Sequence, residues 1–486
     1  MRLFLICAVL CLGALEGVAQ DAPASAEELA RVSHELQETR SELADSRRQI
    51  EELRKGLEEL RSQMQGAQSS ANVTFPSADP TTAAADEDVN FLAAKVNEIH
   101  QDKVESGSKY PVKLSGLILF NSYLNNGNLD LQDLPNLAFP KTPGVANGSL
   151  GATLTQTLLG LNVTGPTLFG AKSSADISID FAGGSPTTSY GVTNGLLRLR
   201  TATARLDWGK TSLSVGQDAL FFSPLSPTSY ATVKEPALAW AGNLWVWTPQ
   251  IEIERRFTLD SSTALVLQGG LLDPLTEEPA TFQGRVATAG EASRVPAIAG
   301  RVALDRLSAA HHPFSIGFGG YRARDRVETF REIDSWTLNT DIKIPLGSHF
   351  ELSGEGYEGQ AAGGLGGGIW TSWIFADATA PHSAIHPLRS AGGWAQLKII
   401  PASRFEINGA FGQDGNYGRD LRFFPVAFTN YGFPALQKNQ AGFLNVIYRP
   451  KSIFLFALEY RRLFTAPSIG ESASGDQVNA AMGVHF

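Results

Sequence analysis

The chain has 486 residues, 43% of them hydrophobic and 18% charged, with a formal net charge of -9. So ordinary an apolar fraction with so small a net charge excludes an intrinsically disordered chain. After the first twenty residues no run approaches the length of about 18 apolar residues that a membrane-spanning helix needs, which excludes a helical membrane protein. Both cysteines, Cys7 and Cys11, lie in those first twenty residues, so the rest of the chain can build neither a disulfide nor a cysteine metal site. Residues 1–109 carry 11 Lys and Arg against 19 Asp and Glu, and the remainder is nearly neutral, with no basic footprint for nucleic acid.

Residues 1–19 read as a secretory signal peptide. Arg2 is the positive start, Leu3 to Leu15 the apolar stretch, and Gly17-Val18-Ala19 the small-residue cleavage site. Neither cysteine follows the small residue that lipoprotein processing needs. Residues 26–65 are predicted to form an α-helical coiled coil. Leu29, Leu36, Leu43, Ile50, Leu57 and Met64 recur every seven residues, with Val32, Thr39, Ser46, Leu53 and Leu60 as the second series. Such a narrow seam belongs between helices rather than on a globular core, so this segment implies oligomerisation. Residues 66–86, rich in Ser, Ala, Thr, Pro and Asp, form a flexible linker. Residues 87–109 hold a short helix, with Phe91, Leu92, Val96 and Ile99 on one side, and a connector.

From 110 to 486 the pattern is period two. Leu338, Thr340, Ile342 and Ile344 alternate with Thr337, Asn339, Asp341 and Lys343; Ile251 and Ile253 alternate with Glu252 and Glu254. Charges at every second position would ruin a sandwich core, but they suit a barrel with lipid outside and water inside. Sixteen strands are expected, near 112–124, 151–164, 171–182, 195–208, 211–218, 247–257, 262–272, 297–306, 313–323, 336–345, 348–357, 392–400, 403–413, 438–449, 452–463 and 476–486. Short turns alternate with long connections such as 125–150, 219–246, 273–296 and 358–391. The fold class is therefore all-β: a 16-stranded antiparallel transmembrane β-barrel behind an N-terminal coiled coil. A further strand at 369–376 would make the count odd. Phe486, Val484 and Met482 end an alternating apolar strand and look like the C-terminal signature read by the barrel assembly machinery.

A signal peptide, a periplasmic coiled coil and a sixteen-strand barrel together resemble trimeric bacterial outer-membrane porins with N-terminal extensions, the DcaP-type and sucrose-type channels. Leu197-Arg198-Leu199-Arg200 through Trp208, then Val215-Gly216-Gln217, is similar to the "LRLRHAYV…GQTW" stretch of general and DcaP-type porins, with Thr201-Ala202-Thr203 in place of His-Ala-Tyr. Trp247-Thr248-Pro249-Gln250-Ile251 resembles their "RQPQI" strand start. The resemblance implies a homotrimer in the bacterial outer membrane, with the coiled coil in the periplasm, and a third loop folded into the lumen. That loop, Asp218 to Leu244, contains Phe221, Phe222, Tyr230, Lys234, Glu235 and Trp240, too apolar for an exposed rim.

Candidate lumen residues are Arg198, Arg200, Asp218, Tyr230, Lys234, Glu235, Glu252, Glu254 and Arg301, with Arg322 and Arg324 lining the lumen or its rim. Arginines on the wall favour anions if they dominate, while the inner carboxylates oppose this. No nucleophile elbow is present. His382 and His386 are bracketed by Pro381 and Pro387, and Gly363 to Gly368 lacks the lysine of a phosphate loop, so neither an enzyme, a metal nor a cofactor is expected. The expected function is passive diffusion of small hydrophilic solutes. The alternatives are a selective sugar or organic-anion channel, with Phe221, Phe222, Tyr230 and Trp240 as an aromatic slide, and a tether from the outer membrane to peptidoglycan.

Overall fold

Alternation with period two demands pairing, because every strand edge carries unmet N–H and C=O groups. A computed structural model shows how the demand is met. It describes residues 110–486 except 185–194, 279–285, 308–312, 328–330, 378–382, 426–428 and 430–433. The expected signal peptide, coiled coil, linker and short helix lie outside the described residues.

The strands are β1 (Val112–Asn126), β2 (two segments, Gly148–Thr153 and Leu158–Leu168), β3 (Ala171–Asp180) and β4 (Arg198–Asp207). Next come β5 (Thr211–Ala219), β6 (Trp247–Thr258), β7 (Thr263–Leu272) and β8 (Ala297–Leu307). β9 (Pro313–Val327), β10 (Arg331–Leu346), β11 (Phe350–Gln360) and β12 (Arg389–Ala402) follow. β13 (Phe405–Asn416), β14 (Leu436–Lys451), β15 (Phe454–Pro467) and β16 (Ala473–His485) complete the set. Each strand is antiparallel to its neighbours, and β16 returns to β1 with Leu117 opposite His485 and Asn126 opposite Asp476. Both segments of β2 pair with β1, so the closed barrel has 16 strands, as expected.

Burial is inverted relative to a water-soluble protein. On β10, Leu338 is 65% exposed while Asp341 is 2% exposed. Ile118, Phe120 and Leu124 on β1, and Val478 and Met482 on β16, likewise point out, while Asn121, Asn125, Gln477 and Asn479 are buried within. Phe169, Trp208, Phe257, Phe350 and Phe405 stand exposed at the short-turn end, an aromatic girdle of the kind found where a barrel leaves lipid. No described helix is long and apolar enough to cross a membrane; strands make this wall.

Three departures from expectation have physical causes. The stretch at 369–376 forms Trp373–Phe375, which pairs with Ile385–Pro387 in a separate two-stranded ribbon, so the barrel count stays even. β9 and β10 run well past the expected 323 and 336, carried by cross-strand ion pairs Arg322–Asp334 (3.6 Å) and Arg324–Glu332 (3.3 Å). Those arginines are exposed, on the outward face with Phe318; they are rim residues and do not line the lumen. Finally, β2 breaks at 154–157, where Gln156 turns inward and is completely buried.

Candidate functional site

The third long connection, 220–246, does not stay outside. It enters after β5 and runs round the inner face of the wall, where inward polar side chains meet its backbone groups one after another. Phe222 stacks on Tyr321 of β9 (centroids 5.6 Å apart), in a cluster with Leu220, Phe221, Leu272, Ala297 and Ala299. Glu355 of β11 accepts hydrogen bonds from Ser223 Oγ (2.6 Å) and the Leu225 amide (2.7 Å). Gln396 of β12 accepts from the Thr228 amide (2.6 Å), Asn445 of β14 donates to the Thr228 carbonyl (2.9 Å), and Glu459 of β15 accepts from Ser229 Oγ (2.6 Å). Asn121 of β1 donates to the Tyr230 carbonyl (2.8 Å). The break in β2 explains itself here: Gln156 donates to the Ala231 carbonyl (2.9 Å) and accepts from the Val233 amide (2.5 Å). The loop is a strap, and a buried strap must have its backbone groups paired in this way.

The returning limb lies directly on the sheet. A Cβ at Gly412 would stand 2.2 Å from the Ala241 carbonyl oxygen. Gly242 itself has φ +95°, and a Cβ there would meet the Gly393 amide nitrogen at 2.2 Å. Only glycine permits this approach of backbone to backbone.

Arg198 and Arg200 point inward, as expected, but they grip the strap rather than face it across an open gap. Arg198 donates to both oxygens of Asp180 (3.1 and 2.7 Å) and to the Lys234 carbonyl; Arg200 donates to the Val233 carbonyl (2.9 Å). Lys234 pairs with Asp133 (2.5 Å). Glu235 accepts from Asn136 (2.8 Å), and burial pushes its carboxyl pKa up against that bond. Tyr230 is held by Arg449 (3.3 Å). Arg301 makes a two-point bridge to Asp341 (2.8 and 2.7 Å), so its charge is countered. Phe221 and Phe222 are buried against the wall, which removes them from any slide. His386 stacks on Phe423 (3.9 Å) and reaches Asp420 (3.3 Å); His382 lies outside the described residues.

Asp218, Glu252 and Glu254 face inward on β5 and β6 near Asp176 of β3. Gln268 donates to Glu252 (2.8 Å) and Glu254 (3.4 Å), and among the described residues Asp176, Asp218 and Glu252 have no cation within ion-pair distance. Opposite them, Glu406 has two partners, Lys398 (3.4 Å) and Arg449 (3.2 Å), and Lys343 pairs with Glu351 (3.5 Å). The inward side chains Asn408, Asn439, Asn445, Glu459, Arg461 and Gln477 are buried, those on β14 and β15 lying under the strap, whereas Asp176, Thr203, Arg205, Asp218, Glu252, Glu254 and Gln268 keep part of their surface wet. At the level of the strap, the partly wet inward side chains therefore lie on β3 to β7; nearer the short turns Lys343, Glu351, Lys398, Glu406 and Arg449 keep part of their surface wet as well.

In fold, the chain resembles bacterial outer-membrane porins. The outer membrane channel DcaP of Acinetobacter baumannii superposes with a TM-score of 0.60 at 16% identity, over 79% of this chain and 99% of that one. An anion-selective porin from Comamonas acidovorans gives a TM-score of 0.49 at 14% identity, over 78% of this chain and 100% of that one. No protein-family model matches the sequence, and no curated protein matches it. In this porin-like barrel, sequence reasoning singled out Arg198, Arg200, Lys234 and Glu235, and Asp180 with Asp176 among the inner carboxylates, but missed Gln156 and Asn121. A polar Thr155-Gln156-Thr157 inside an apolar strand was the available signal for one of them.

Proposed function

We propose that the protein is an outer-membrane porin for passive diffusion of small hydrophilic solutes. The observation that carries this reading is the one-sided lumen: a pinned strap covers the polar wall from β10 round to β2, and the wall from β3 to β7 keeps a wet ladder of carboxylates. A barrel serving only as an anchor has no need of a polar inner face on the side its loop leaves uncovered. Because Arg198, Arg200 and Arg301 are engaged by Asp180 and Asp341, while among the described residues Asp176, Asp218 and Glu252 have no ion-pair partner and outnumber their neighbouring cation Arg205, the proposed passage prefers cations, the opposite of an arginine-dominated eyelet.

The proposal places the chain in the bacterial outer membrane as a homotrimer, delivered through its terminal Phe486 by the barrel assembly machinery. The coiled coil would then hang in the periplasm, where it ties the trimer and can reach peptidoglycan. Purified protein in planar lipid bilayers tests the central claim. Discrete ohmic steps in KCl are expected, and a silent barrel would leave only the tether reading.

A further inference from the structure

At the long-loop end, the first, third, sixth, seventh and eighth connections leave a half-open cleft of about 680 Å³. Its walls are apolar, with Leu137, Phe139, Trp240, Ile369, Trp370 and Ile469 among them, and Glu471 at one edge. This size suits a small molecule, and few polar atoms line it.

The two indoles in the cleft are the start of a file. Trp240 and Trp370 have ring centroids 5.5 Å apart, Trp370 meets Trp245 at 5.5 Å, and Trp245 meets Trp247 at 5.2 Å. Trp247 ends against Arg200 and Arg198, whose guanidinium carbons lie 4.6 and 5.0 Å from its ring centre. Four of the chain's eight tryptophans thus form one contiguous stack, fastened at its inner end to the arginines that grip the strap. Such a stack holds the two outer rings rigid, so a ring docking on them loses little further protein freedom. The indole N–H groups of Trp240, Trp245 and Trp370 are buried without an acceptor in the protein. Buried donors are rarely left so. They have no exposed surface in the cleft, so the rings and not these donors present the binding face.

We propose that this cleft, backed by the tryptophan file, is a binding site for neutral solutes that carry one aromatic ring. The proposal rests on the porin reading for its purpose, as a place where such solutes dwell before passage, but not for the binding itself. Glu471 at the edge repels anions, and Arg198 and Arg200, whose charges are already committed to Asp180, the strap and Trp247, offer an anion no counter-charge, so an anionic ring is disfavoured.

Titration of the purified full chain with phenyl β-D-glucoside, followed by tryptophan emission, should saturate, while methyl β-D-glucoside should give no change. Trp240→Ala and Trp370→Leu should each weaken the phenyl compound about tenfold. Strand content by circular dichroism shows that each variant has folded. Trp208→Phe, at the opposite end of the barrel, should leave the titration as it was. Equal responses to the two glucosides, an unchanged titration in both cleft variants, or an effect of Trp208→Phe as large as theirs would each overturn the site. Tighter binding of benzoate than of phenyl glucoside would overturn its neutral character. In planar bilayers the phenyl compound should block the current in resolvable dwells. A conducting channel indifferent to both glucosides refutes the site and leaves the porin reading; saturable binding by a silent barrel refutes the porin reading and leaves the site.

Discussion

Asp180 is completely buried at the end of β3, and Arg198 closes on both of its carboxylate oxygens from β4, at 3.1 and 2.7 Å. The pair sits under the strap, because the same guanidinium also donates to the Lys234 carbonyl and Arg200 lies 3.8 Å from Asp180. Two cations share one anion, in a geometry fixed on both sides. Asp180→Asn should therefore leave two uncompensated positive charges beside the passage. Reversal potentials under a KCl gradient in dilute electrolyte should move toward anions, since salt screens such fields within about 10 Å at 0.1 M. No movement would place the pair away from the conducting path.

Replacing both arginines with Ala removes the clamp on Val233 and Lys234. The expected result is a shift toward cations with noisier, larger single-channel currents as the strap loosens. A quiet channel of unchanged selectivity would mean that the remaining contacts hold this limb by themselves.

Glu252→Gln with Glu254→Gln is the complementary test. Both carboxylates accept from the Gln268 amide, and Glu254 also lies 3.9 Å from the half-exposed Arg256, so neutralising them should reduce cation preference, with little effect on stability because both side chains keep part of their surface in water. Thermal unfolding and reversal potential, measured on the same preparation, check both halves.

Glu277 ties the fourth connection to the sixth, accepting from the Ser372 amide (2.8 Å) and hydroxyl (2.6 Å). Burial pushes its pKa from an ordinary 4.5 up to about 7, against those hydrogen bonds. A raised folded-state value means that the folded loops hold the proton more tightly. Their stabilisation is fully present below about 4.5 and is lost as pH rises through about 7. Proteolysis of the long loops should accelerate between pH 5 and pH 8, and Glu277→Gln should flatten that dependence. A loop cleavage rate indifferent to pH in the unaltered protein would refute the latch.

Phe486 exchanges two backbone hydrogen bonds with Gly116 (2.9 and 3.1 Å), and its ring occupies the space a Cβ at Gly116 would need. Phe486→Asp puts a charge on the outward face near the turn end, costing on the order of 1 kcal/mol there and more at greater depth. The variant should accumulate outside the membrane fraction. Normal membrane yield would count against a role for the last residue in assembly.

The sequence by itself determined the wall. Alternation in β10, with Leu338 outward and Thr337, Asn339 and Asp341 inward, fixes which face is the barrel's outside, because side chains of a strand can only alternate. Turn residues at Gly209-Lys210 and Pro401-Ala402, set against long connections, fixed the even count and left both strand ends on one side. Inward placement of Arg198, Arg200, Glu252 and Glu254 followed from the same period.

What only the tertiary structure decided is which inward groups remain free. Partnership depends on where the strap lies, and the strap lies where glycines such as Gly412 let backbone touch backbone and where Gln156, Asn121 and Glu355 wait with unmet hydrogen-bonding capacity. Those residues are up to more than a hundred positions from the loop they hold, on strands brought together only by closure of the barrel. A period of two says that a charge faces the lumen. It carries no information about the chain segment that crosses the lumen to meet it.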